Sequence, residues 1–158
     1  MKSKTIKWVF WILIAAFVFA AITIFTPLAS RLFMNPAARV LIPISGGALL
    51  LLGGALIFLT VKQHTQGILK KFLLLTGASA AGMPVGVLLH GAVFAVFIRL
   101  LGENFWQRIG IEDEPFFFML AVVVCPLGFL VGAIGSIVLS FRSRNKVAEQ
   151  VGKQSHGT

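Results

Sequence analysis

At 158 residues the chain has the length of one domain, but 58% of it is hydrophobic and only 12% charged, against the ~25% charged typical of soluble domains. A soluble core cannot absorb that much apolar surface. The formal charge of +9 does not imply nucleic-acid binding: the excess cations gather in short stretches between long apolar runs, and no aromatic residues interleave with the basic C-terminal segment.

Four apolar runs, at residues 8–26, 40–61, 72–101 and 115–141, meet or approach the roughly 20 residues needed to cross a hydrocarbon core about 30 Å thick. Lys2, Lys4 and Lys7 precede the first; Lys62, Lys70 and Lys71 separate the second and third; Arg142, Arg144, Lys146 and Lys153 follow the fourth. Short cytoplasmic loops retain cations, so both termini and the middle loop are expected on the cytoplasmic side. On that assignment the whole +9 lies on one face and the other is neutral. The expected fold is an all-α membrane protein of four transmembrane helices arranged as two antiparallel hairpins, N-in and C-in, in the cell membrane.

The first run carries Trp8, Phe10, Trp11, Phe17, Phe19 and Phe25 and no glycine, a composition suited to a peripheral helix in lipid contact. It exceeds the usual 7–15-residue core of a signal peptide, so an uncleaved signal anchor is expected, although Pro27-Leu28-Ala29-Ser30 leaves cleavage open. Pro27, Asn35 and Pro36 then form turns in the loop of residues 26–39. The second run has Pro43 near its start and glycine pairs Gly46-Gly47 and Gly53-Gly54, seven residues apart and so on nearly one helical face. His64, in the polar loop that follows, reads as a solvated side chain.

The third run, as an unbroken helix, would extend about 45 Å and must tilt, bend or lie along the interface. Pro84 supplies a bend, because it removes one backbone donor and clashes with the carbonyl of Ala80. Ala78, Gly82, Gly86 and His90 recur at four-residue spacing, a stripe of small residues leading to an imidazole; Gly128, Gly132 and Ser136 repeat at the same interval in the fourth run. Such faces permit close helix approach, which drives association in lipid.

The loop between the third and fourth runs holds Phe105, Trp106 and Ile109 among charges, as a short interfacial helix would. Its acidic cluster, Glu112, Asp113 and Glu114, leads into Pro115. That arrangement suits the first turn of a helix, with collection of cations at a pore mouth as the alternative. Residues 1–141 form one transmembrane domain. The segment 142–158 lacks apolar periodicity and is expected to be a basic, disordered cytoplasmic tail.

An ionisable residue at membrane depth raises a functional question. Counting from Leu101 and from Pro115 places His90 and Pro126 at one depth, where the imidazole N–H could satisfy the Val122 carbonyl that Pro126 leaves without a donor. Proton relay, metal ligation with Cys125 and axial haem ligation are the functional alternatives for His90. The apolar runs hold no second histidine and no acid to complete a metal site, and no motif supports haem. No cofactor is expected, and Cys125, the one cysteine, has no intrachain disulfide partner. Likeness between the two halves, with Arg31-Leu32 and Arg99-Leu100 at corresponding places, is ascribed to ordinary membrane-helix composition rather than duplication.

No phosphate-binding glycine loop, His-Glu-x-x-His or Gly-x-Ser-x-Gly is present. The sequence therefore points to a non-enzymatic structural or accessory component that packs with itself or with partner membrane proteins in the lipid bilayer, without nucleic acid. A small oligomeric transporter or channel for cations or small solutes is the alternative, and a membrane enzyme or redox subunit using His90 the third.

Overall fold

The computed structural model describes residues 4–25, 40–63, 67–102, 104–108, 110 and 115–155, which are almost wholly helical and include no strand. The loop of residues 26–39, His64 and the acidic cluster Glu112, Asp113 and Glu114 lie outside them. In chain order the elements are α1 (Lys4–Phe25), α2 (Leu41–Lys62), α3 (Ile68–Leu101), α4 (Phe105–Arg108), α5 (Pro115–Met119), a π-helical turn (Leu120–Val124) and α6 (Cys125–Ser155). Among the described residues, four stretches are long and apolar enough to cross a membrane: Lys4–Thr23, Pro43–Lys62, Ile68–Leu101 and Pro115–Arg142.

Hydropathy underestimates these helices because their ends are basic, and lysine and arginine are good helix formers. Thus α1 begins at Lys4 and α3 at Ile68, ahead of the apolar boundaries at 8 and 72. The same effect corrects the expected disordered tail: the backbone stays helical as far as Ser155, through a segment rich in Arg, Lys, Ala, Glu and Gln. What stops α3 is backbone conformation. Gly67 (φ 76°) and Gly102 (φ 94°) flank it, both in the region that residues with a Cβ rarely enter.

α1 buries one stripe and exposes the rest. Ile6, Phe10, Leu13, Phe17 and Ala20 are all nearly inaccessible, and their alternating spacing of four and three is that of a helix seam. They meet Leu49 and Leu56 of α2, Leu73 and Ala80 of α3, and Phe129 and Ala133 of α6 in one cluster. Phe17 stacks on Phe129 with ring centroids 3.8 Å apart and planes 8° from parallel. Of the aromatics in this helix, Phe10 and Phe17 thus face the bundle, whereas Trp8, Trp11 and Phe19 face outward.

α3 is the central helix, packed against α2 along one side and α6 along another. Against α2 the contact is backbone on backbone at Gly53 and Gly77. The glycine pairs of α2 divide their work: Gly53 faces Gly77 and Ala81, and Gly46 faces Pro84, while Gly47 and Gly54 have open space where a side chain would be. Successive residues lie about 100° apart around a helix, so each pair straddles the edge of the contact. Two buried threonine hydroxyls are settled within their own helices: Thr60 Oγ1 donates to the Leu56 carbonyl (2.6 Å) and Thr76 Oγ1 to that of Phe72 (2.8 Å). Those bonds offset the cost of burying the two hydroxyls.

Candidate functional site

The polar and small residues of interest converge on the seam between α3 and the helix made by α5, the π-turn and α6. Phe72 lies against Gly135, Thr76 against Gly132, Ser79 against Gly128, Gly82 against Cys125 and Gly86 against Ala121. The partner's number falls as that of α3 rises, in steps of three or four, so the two helices run in opposite chain directions. The approach is close throughout. A Cβ on Gly132 would stand 2.7 Å from the Thr76 nitrogen and 3.0 Å from the Phe72 carbonyl oxygen, and one on Gly86 would stand 2.9 Å from the Ala121 Cβ.

Gly82, Gly86, Gly128 and Gly132 lie at these contacts, and Ser136 is fully buried beside them. Ala78 is exposed and belongs to another face. Four-residue steps rotate about 40° each around a helix of 3.6 residues per turn, so a stripe at strict four-residue spacing winds away from a straight contact. Thr76 and Ser79 take the place next to Gly132 and Gly128 instead. Only their separation of three residues, matched to small residues in α6, marks them in the sequence.

His90, Cys125 and Pro126 do not form one group. Cys125 is buried, its Sγ 3.1 Å from the position of a Cβ on Gly82. Continuing the register past Gly86 and Ala121 brings His90 level with Phe117 and Phe118, and its ring centroid is 5.5 Å from that of Phe118. Pro126 lies eight residues beyond Phe118, about 12 Å along the helix. The common depth expected for His90 and Pro126 is thereby corrected.

The error came from measuring depth from Leu101 and Pro115 as though both stood at one level. By the observed register Pro115 stands level with Ala92, and α3 continues nine residues further, about two and a half turns. α4 folds back on that extension. The Trp106 ring is 6.0 Å from Phe94 and 5.3 Å from Phe97, and Phe105 is 5.3 Å from Phe97. Phe105 and Trp106, expected in a headgroup layer, thus pack on α3, while Ile109 lies outside the described residues. Trp106 is buried, and its Nε1 is without a hydrogen-bond partner among the described residues.

Pro126 is accommodated by a local change of helix. The Cys125 N–H bonds the Leu120 carbonyl, five residues back, and the wider π-turn eases the proline ring past the carbonyl it would strike in a regular α-helix. Among the described residues no three His, Cys, Asp or Glu side chains are grouped so as to hold a metal ion. What the seam offers is tight, enclosed packing, with the Cys125 thiol and the Thr76 and Ser79 hydroxyls held against glycine.

Comparison of the chain with protein-family models, with curated proteins and with solved structures finds no match.

Proposed function

We propose that the chain is a multi-pass integral membrane protein of the cell membrane, with four spans and both termini cytoplasmic. We assign it the role of a structural or accessory component, packing with itself or with partner membrane proteins rather than catalysing a reaction. The observation that carries this reading is an inverted distribution of side-chain size. Glycine, serine and threonine stand at the closest approaches of α3 to α2 and α6, while large apolar residues such as Leu51 (74% exposed), Leu88 (69%) and Leu100 (76%) lie on the outer surface. Contiguous apolar surface on that scale is not sustained by a monomer in water, whereas hydrocarbon surroundings and small-residue seams go together.

Cross-linking in native membranes, followed by gentle detergent extraction and mass measurement of the tagged protein, tests the role. A defined oligomer or a stoichiometric partner is expected; monomer alone overturns it. Reporter fusions at Met1 and Thr158 test orientation, and both are expected to report the cytoplasm.

The π-turn ahead of Pro126 favours a second reading, a small oligomeric transporter or channel, because interrupted helices recur at transport sites. Flux of cations or small solutes through proteoliposomes that falls on His90→Leu would establish it in place of the first.

A further inference from the structure

Where α2 and α3 meet at Gly53 and Gly77 their backbones touch, but seven residues back along α2 the contact relaxes. At Gly46 an added Cβ would reach only ordinary van der Waals distance, 3.5 Å, from Pro84, and at Gly47 it would meet nothing within 4 Å. Toward the Pro43 end of α2 the two helices therefore enclose a cleft of about 480 Å³, closed on a third side by Ala20 of α1. Its floor is Gly46 and Gly47, its far wall Met83 and Pro84, and Ser45 is the one polar side chain among its lining residues. Leu50, Val87 and Leu88 line it and are exposed, so the cleft opens sideways, between helices.

We propose that this cleft is a binding site for one acyl chain of a membrane lipid. The inference rests on the membrane-spanning reading above, which puts hydrocarbon at the cleft's mouth. An apolar cavity does not hold water, and an empty one forfeits dispersion contacts along its lining. The volume falls within the range of small-molecule sites, 300–1,000 Å³. It is too small for a docking helix: one turn of a cylinder 10–12 Å across occupies about 500 Å³, so a helix would fill the cleft with a single turn. A flexible chain can bend in from the bilayer and present methylenes to glycine, proline and methionine surfaces together.

The test uses the full-length protein in phosphatidylcholine vesicles doped with a lipid whose acyl chain carries a diazirine, with labelled residues mapped by mass spectrometry after illumination. Labelling is expected to concentrate on the lining residues Leu50, Val87 and Leu88, above that of Val131, Ile134 and Val138, which are comparably exposed on α6. Gly47→Phe and Gly47→Leu fill the cleft from a position with open space and are expected to lower that labelling roughly tenfold, the effect of losing about two buried methylenes. Gly54→Phe, also in open space but outside the lining, leaves it unchanged. Even labelling of the cleft and α6 would overturn the site and leave the membrane reading standing. Labelling of α6 with the cleft protected would overturn it in favour of a protein segment as occupant. Absence of label from every helix would overturn the membrane reading itself.

Discussion

Gly53 and Gly77 each occupy the space the other's side chain would need. A Cβ on Gly53 would stand 2.6 Å from the Gly77 carbonyl oxygen, and one on Gly77 would stand 2.9 Å from that of Gly53. Both obstacles are backbone, which cannot rotate aside, so even alanine must drive α2 and α3 apart. Gly53→Ala and Gly77→Ala are each expected to cost about 1–3 kcal/mol, the usual penalty of overpacking. Gly54→Ala adds its methyl to open space and is expected to be neutral or to gain up to about 1 kcal/mol of helix propensity. Unfolding of the purified protein by graded addition of a denaturing detergent, followed by circular dichroism, compares the three. Equal effects at 53 and 54 would contradict the packing.

The register of α3 against α6 is open to a chemical test, because Cys125 is the only cysteine. Its Sγ lies 3.1 Å from the position of a Cβ on Gly82, close enough for a second cysteine there to bridge without large backbone movement. Gly82→Cys is expected to lose both thiols to mild oxidation, read as maleimide labelling under denaturing conditions. His90→Cys, eight residues and about 12 Å further along α3, keeps both. Bridging from position 90 would restore the depth match that the sequence suggested.

That mismatch shows where sequence reading reached its limit. Span existence, the proline positions and the small-residue character of the third and fourth runs are composition, and composition is local. Register is not local. The alignment of His90 with Pro126 assumed that α3 ends where α5 begins, whereas α3 overshoots and is covered by α4 through Phe94, Phe97 and Trp106. The inward stripe of α1 is legible in the spacing of Ile6, Phe10, Leu13, Phe17 and Ala20, whereas a count of six aromatics in the run does not say which of them face the bundle. The π-turn left no mark beyond Pro126 itself.

The Phe17–Phe129 stack, at 3.8 Å, ties α1 to α6. Phe17→Ala is expected to destabilise the bundle by about 1–2 kcal/mol, below the ~3–5 typical of Phe→Ala in a water-soluble core, because on the proposed membrane-spanning reading the freed surface meets hydrocarbon rather than water. Phe19→Ala, on the exposed side of the same helix, is expected to change stability by less than about 0.5 kcal/mol. The same detergent titration reads both. Phe129→Ala should reproduce the effect of Phe17→Ala, and the double variant should cost less than the sum of the two, because each single change already breaks the stack.

Trp106 separates aromatic packing from hydrogen bonding. Its ring sits on Phe94 and Phe97 and is buried, while its Nε1 has no partner among the described residues. A buried donor without a partner carries its desolvation cost uncompensated. Trp106→Phe keeps a ring on α3 and deletes the donor, so stability is expected to stay level or rise by up to about 1 kcal/mol. Trp106→Ala removes the ring and leaves α4 the Phe105–Phe97 contact (5.3 Å) and the turn bonds from the Phe105 N–H to the Gly102 carbonyl (3.1 Å) and from the Arg108 N–H to the Asn104 carbonyl (3.0 Å). Hydrogen exchange of the peptide spanning residues 102–108 discriminates the variants. Protection is expected to persist in Trp106→Phe and to be lost in Trp106→Ala, with exchange elsewhere in α3 unchanged; loss of protection in Trp106→Phe would mean that the indole N–H holds α4 in place.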